Sequence, residues 1–135
     1  MKPKTSIILL FLLAITACSQ VTKPARENMF RNKTFVHLFF NTEKECMAAQ
    51  PDPDFFLNCH QQLDFLNDGK FRIMLTDILW DGTYIIQGNL LILSLEPNYE
   101  IPSGKIIFEI LNPTLLQKSG DNSIWKKFSG NSIWK

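Results

Sequence analysis

Few side chains in this 135-residue chain are suited to chemistry. The histidines are His37 and His60, and the cysteines stand at positions 18, 46 and 59. His37 lies in an extended apolar run, opposite the face that carries Val36, Leu38 and Phe40. That placement suits a surface or pocket-wall residue better than a catalyst. Cys59 and His60 are adjacent, so in a strand their side chains point to opposite faces and one ion would not bind both without a distorted backbone. A zinc-type site built from Cys46, Cys59 and one histidine would require both thiols reduced. Asp77 and Asp81 flank Ile78-Leu79-Trp80. Paired carboxylates serve glycosidases as acid and base, but these two fall at a strand end and at an Asp-Gly turn, where Asp is ordinary. No Gly-x-Ser-x-Gly elbow and no phosphate-cradling glycine loop is present. The expectation is a protein that is not an enzyme and holds no metal or cofactor.

Cys18 stands apart from the other two cysteines. Lys2 and Lys4 precede an unbroken apolar run over residues 7–15, which is far short of the roughly 20 residues a membrane span needs. A basic start, a short apolar core and small residues after it describe a secretory signal. Ile15-Thr16-Ala17-Cys18 then resembles the lipobox of bacterial lipoproteins. The resemblance implies removal of residues 1–17, a diacylglycerol on the Cys18 thiol and usually an acyl chain on its new amine. Two or three chains anchor a protein stably where one does not. Ser19, in place of an Asp after the lipidated cysteine, implies the outer membrane. The competing reading is an ordinary export signal with a cysteine at the cleavage point by chance.

Export places Cys46 and Cys59 in an oxidising compartment, where a disulfide is the leading reading. Free buried thiols and metal ligation are the alternatives. The bridge would close a loop of about 14 residues containing Pro51 and Pro53, worth roughly 3 kcal/mol in a chain-entropy model.

Without residues 1–17 the chain suits one small domain with a single core. The signal carries two of the 14 basic residues and none of the 13 acidic ones, which leaves the mature chain close to neutral. No basic field exists to attract nucleic acid. Residues 18–33 read as the lipidated cysteine and a polar tether that reaches about 50 Å when extended, with Met29 and Phe30 available to dock on the domain.

From residue 34 the pattern is β. Strands are predicted over residues 34–40, 59–66, 70–75, 83–87, 90–95, 105–111, 114–118 and 123–128, with a short helix near residues 43–49. Asn67-Asp68-Gly69, Asp81-Gly82 and Gly88-Asn89 read as tight turns. About eight consecutive strands with tight turns predict an all-β antiparallel meander over residues 34–128, closed as a small barrel or curled as a half-barrel. A β-sandwich is the alternative. Residues 119–126 nearly recur as residues 129–135, from Ser-Gly through Ser-Ile-Trp-Lys. The second copy reads as a frayed tail or as an added edge strand.

Over residues 63–128 the chain resembles the small lipocalin-like lipoproteins of bacterial envelopes. The resemblance rests on Leu63-Asp64-Phe65, Asp68-Gly69-Lys70-Phe71, Asp81-Gly82-Thr83-Tyr84-Ile85-Ile86-Gln87-Gly88-Asn89-Leu90-Leu91-Ile92-Leu93 and Trp125-Lys126-Lys127. Residues 34–40 lack the Gly-x-Trp that commonly opens the first strand in that group. Cys46 and Cys59 lack the Cys-x-x-Cys spacing of the copper-responsive adhesion-signalling lipoproteins, so no metal or sensing role follows. Two functions compete. One is a non-enzymatic envelope module, held to the membrane through Cys18, that contacts a protein partner or plays a structural role, with the loops and the Cys46–Cys59 segment as the contact surface. The other is a carrier of a small apolar ligand in the barrel interior, lined by Trp80, Tyr84 and Trp125.

Overall fold

Alternating apolar and polar residues commit one face of each strand to a core, and short turns commit consecutive strands to antiparallel pairing. A computed structural model describes residues 28–52, 54–99 and 102–134. Among these residues the strands are β1 (Thr34–Leu38), β2 (His60–Phe65), β3 (Lys70–Met74), β4 (Leu79–Gln87), β5 (Leu90–Leu95), β6 (Gly104–Asn112), β7 (Leu115–Lys118) and β8 (Ile124–Lys127). One helix, α1 (Glu43–Ala48), interrupts them between β1 and β2. Each strand pairs antiparallel with the next, and β8 returns to β1, so the expected barrel is fully closed. The closing seam pairs Phe35 with Lys127 and Val36 with Lys126, and the Phe128 N–H donates to the Thr34 carbonyl at 2.8 Å. Closure leaves no unpaired edge in the sheet. The export signal, Cys18 and the tether up to residue 27 lie outside the described residues.

The core is mostly aromatic. Phe30, Phe35, Phe65, Phe71, Phe108 and Trp125 are fully buried, with Leu63, Ile73, Leu91, Leu93 and Leu116 filling between them. The rings meet at angles that suit their quadrupoles: Phe35 is edge-on to Phe65 at 5.8 Å, Phe65 edge-on to Tyr84 at 4.9 Å, and Phe108 edge-on to Trp125 at 5.4 Å. Phe30 precedes the first strand. It stacks on Phe65 at 5.0 Å and meets Phe35 at 5.6 Å, so it plugs the end of the barrel where β1 begins and β2 ends. The same end holds the β2–β3 turn, where Asp68 and Gly69 both take positive φ (59° and 70°). The Leu66 N–H donates to the Lys70 carbonyl across a three-residue loop, and the left-handed backbone there suits Asp and Gly.

Two readings from the sequence are corrected here. Asp81-Gly82 is not a turn, because β4 begins at Leu79 and runs straight through both residues. Gly82 pairs with Phe71 on one side and Leu95 on the other, and the Phe71 ring occupies the space that a side chain there would need. A Cβ at Gly82 would lie 2.8 Å from that ring and would overlap the carbonyl oxygen of Ser94. The glycine therefore serves close approach inside the barrel.

The second correction concerns β1. Phe35, not Val36, is the residue with no exposed surface, and it lies across the seam from Lys127. His37 shares its face, stacked on Trp125 at 5.9 Å. Val36 is buried from outside instead, in a cleft shared with Ile124, Ile133 and Trp134. The strand ends at Leu38, which frees Phe39 and Phe40 for the loop.

Candidate functional site

Opposite the Phe30 plug, the far end of the barrel carries the β1–β2 excursion and the β3–β4, β5–β6 and β7–β8 connections. The excursion is held by local devices that can be followed residue by residue. Thr42 caps α1: its hydroxyl accepts from the Glu45 N–H at 3.2 Å, and the Glu45 carboxylate accepts from the N–H groups of Thr42 and Asn41 at 3.3 and 2.9 Å. This reciprocal capping box satisfies donors that a six-residue helix would otherwise leave free. Cys46, the one buried residue of α1, meets Cys59 at disulfide distance, with their Cα atoms 5.8 Å apart. That spacing falls within the range a bridge requires.

Gln50 supplies a second staple. Its side-chain oxygen accepts from the Leu57 N–H at 2.7 Å, while its amide nitrogen donates to the carbonyls of Cys46 at 3.0 Å and Leu57 at 3.3 Å. Asp52 turns the chain by accepting the Asp54 N–H at 2.8 Å. The Asn58 amide donates to the Thr76 carbonyl at 2.8 Å, tying the end of the excursion to the β3–β4 loop.

These bonds hold apolar side chains in solvent. Phe56 is 64% exposed, Phe55 59%, Phe39 49% and Leu57 48%. Together with Phe40 and Leu75 they line a cleft of about 460 Å³. With roughly 200 Å² of surface per ring, the three most exposed phenylalanines alone present on the order of 300 Å² of apolar area. An apolar patch of that extent matches the largest one on a typical monomer, which is often functional.

Acidic residues stand beside this cleft: Asp77 lines it, Asp52 bridges to Phe55 and Asp54 directly precedes Phe55, and all three are exposed. None of the three is in a salt bridge among the described residues. Tyr99, on the β5–β6 connection at the same end, stands fully in solvent.

The chemistry-bearing residues singled out from the sequence go to different places. His37 closes over the core, its Nδ1 2.9 Å from the Ile124 carbonyl and its ring edge-on to Phe39. His60 opens β2, directly after the buried Cys59. Partial burial pushes its pKa below the ordinary histidine value, and a hydrogen bond with Gln62 partly offsets this. Asp81 points outward and is committed to Arg72, with Nε at 2.7 Å and Nη2 at 3.2 Å from its two oxygens. Asp77 sits on the β3–β4 loop beside the cleft. Among the described residues no three histidine, cysteine or acidic side chains come together as a metal site.

Trp125 is fully buried and Tyr84 nearly so. Trp80 is half-buried against the same core, and its indole N–H has no hydrogen-bond partner. The residues that the sequence reading did not single out are Phe39, Phe55, Phe56 and Leu57. The available signal was three consecutive apolar residues inside a proline-bounded, cysteine-flanked loop, a pattern that folding alone does not favour in solvent.

No family model, curated protein or solved structure matches the chain.

Proposed function

We propose that this protein is a non-enzymatic, lipid-anchored lipoprotein of the bacterial envelope whose barrel presents a protein-interaction surface. The anchor is Cys18, acylated after removal of residues 1–17, and Ser19 favours the outer membrane. The interaction surface is the apolar cleft at the far end of the barrel, built on the disulfide-linked excursion. The observation that carries this reading is that Phe55, Phe56 and Leu57 are held in solvent by a disulfide, a capping box and the Gln50 staple, rather than folded away. Rigid aromatic side chains exposed in advance are what hot spots use, since ordering costs are then already met.

The position of the cleft supports the same reading. The chain reaches the barrel at the Phe30 end, so a tether from Cys18 arrives on one side and the cleft looks out from the other. The burial of Trp125 and Tyr84 favours this reading over a carrier that holds a small apolar ligand among the rings.

Two measurements test it. Intact-mass analysis of membrane-extracted protein is expected to show a chain beginning at acylated Cys18; an unmodified or uncleaved chain would overturn the anchor. A photo-crosslinking amino acid placed at Phe56 in cells is expected to give a discrete protein adduct. The same group at Lys105, on the outer wall of β6, is expected to give none. Equal adducts at both positions, or none at Phe56, would remove the interaction surface.

A further inference from the structure

We infer that the partner engages the cleft with apolar side chains ringed by lysine or arginine: the occupant is a cationic, apolar-centred protein segment. The inference rests on the interaction reading above and adds the chemistry of the partner.

Three observations lead to it. The first is charge. Three exposed acidic residues, Asp52, Asp54 and Asp77, stand beside the apolar surface, with no salt bridge to any of them among the described residues. The two ion pairs among the described residues, Arg72–Asp81 and Lys118–Asp121, use other acids. Apolar contact in the centre with opposite charge around it is how an interface gains both affinity and steering. The second observation is closure. Every strand of the barrel is paired on both sides, so no edge is free for an added strand and the partner must be recognised by its side chains. The third is the shape of the cleft. Phe39 and Phe40 after β1, Phe55, Phe56 and Leu57 in the excursion, and Leu75 after β3 line it together. A volume of about 460 Å³ admits a few large side chains and not a folded domain.

The same charges argue against the other occupants of such a surface. A two-fold dimer through this face would set the carboxylates of one copy against those of the other, because a symmetric interface meets its own patch. An anionic lipid surface would be repelled by the same carboxylates.

The test uses the full mature chain in zwitterionic nanodiscs and three synthetic peptides. One carries two Leu and one Phe flanked by four Lys. The second has Glu for each Lys, and the third has Ser for each Leu and Phe. Calorimetric titration is expected to show saturable binding of the Lys peptide alone. Phe56→Ser, and separately Asp52→Lys with Asp54→Lys, should each weaken it about tenfold. Near-UV circular dichroism of each variant checks that the barrel is intact, and Ile107→Ser on the outer wall of β6 should leave the affinity unchanged. Equal binding of the Glu peptide, or an affinity indifferent to the Asp52 and Asp54 changes, would overturn the cationic inference while leaving an apolar interaction surface standing. Absence of binding by every peptide, together with no adduct at position 56, would remove both. Binding to anionic vesicles that Phe56→Ser abolishes would replace the protein partner with a membrane and overturn the proposal.

Discussion

Replacing Phe30 with alanine should cost more than any other change outside the strands. Phe30 precedes β1, in a stretch that composition alone reads as tether, yet it has no exposed surface and two aromatic neighbours, at 5.0 and 5.6 Å. Truncating a buried phenylalanine to alanine costs about 3–5 kcal/mol, from lost transfer energy and the cavity left behind. The two ring pairs, each worth about 0.5–1.5 kcal/mol beyond simple burial, place this site in the upper half of that range. Against a total stability of about 5–15 kcal/mol, the loss is a large share. For a domain of this size it corresponds to a fall in Tm of about 15–25 °C. The assay is urea unfolding of the mature chain followed by tryptophan fluorescence, to which the buried Trp125 contributes until the barrel opens. Phe30→Leu, which keeps most of the volume, should lose about 1–2 kcal/mol. A Phe30→Ala midpoint within about 1 kcal/mol of the parent chain would refute the reasoning, because the residues before β1 would then lie outside the cooperative unit.

Three other outcomes are expected. Gly82→Ala should abolish folding or cost more than about 3 kcal/mol, since the new Cβ would collide with the Ser94 carbonyl and the Phe71 ring; Phe71→Leu should not rescue it, because the carbonyl is backbone, and thermal melts of the single and double variants check both statements. Reduction of Cys46–Cys59, or its replacement by serines, should lower stability by about 3 kcal/mol in urea titration and should raise amide exchange in residues 43–58 more than in the barrel strands. The pH dependence has two parts with opposite chemistry and the same sign. At Asp121, desolvation acts to raise the pKa, but hydrogen bonds from Lys118 and from the Ser123 hydroxyl and N–H outweigh it, and the pKa falls well below the usual carboxylate range. Its stabilisation is therefore present above the unfolded value near 3.9 and is lost as the pH drops through and below it; Asp121→Asn should flatten that limb, by no more than about 1 kcal/mol for so exposed a pair. At His60, burial disfavours the charged ring, so the unfolded chain takes up that proton first and stability declines as the pH falls below about 6.5; His60→Gln should remove this decline from melts run between about pH 7 and pH 5.

The barrel was legible because its strands follow the rules that periodicity measures. Leu63 with Phe65, and Phe71 with Ile73 and Leu75, alternate cleanly and face inward as expected. Turn residues between them set antiparallel order without help from distant contacts. Closure by β8 was legible only as one of two outcomes, since two residue pairs decide it. At Gly82 the reading failed for a definite reason: Asp-Gly is a turn signal in local chemistry, and the cross-strand ring that makes glycine necessary there comes from Phe71, eleven residues earlier. The face of β1 failed similarly. Thr34-Phe35-Val36-His37-Leu38 offers two apolar faces, and the alternation cannot tell which one the barrel takes. The choice falls to neighbours: Phe30 and Phe65 receive Phe35, Trp125 receives His37, and Ile133 and Trp134 line the cleft outside Val36.

The candidate site was hidden by the same aromatic richness that announced a core. Of the eleven phenylalanines in the chain, Phe35, Phe65, Phe71 and Phe108 stand at strand positions that alternate inward, while Phe39 falls just past the end of β1 and Phe55 and Phe56 lie where no period applies. Composition counts the two groups together and so points to the barrel interior, to rings such as Trp125 that are in fact fully enclosed. What separates the groups is covalent and local. Once Cys46 meets Cys59 and Gln50 grips the backbone of Leu57, the chain between them cannot reach the interior, and its apolar side chains remain outside. A loop of ordinary flexibility would bury such residues against the nearest wall, because exposed rings gain nothing for folding and invite aggregation. Their exposure on a stapled loop, beside Asp52, Asp54 and Asp77, is the feature on which the proposed interaction surface rests, and the complementary surface we propose is apolar at its centre and basic at its margin.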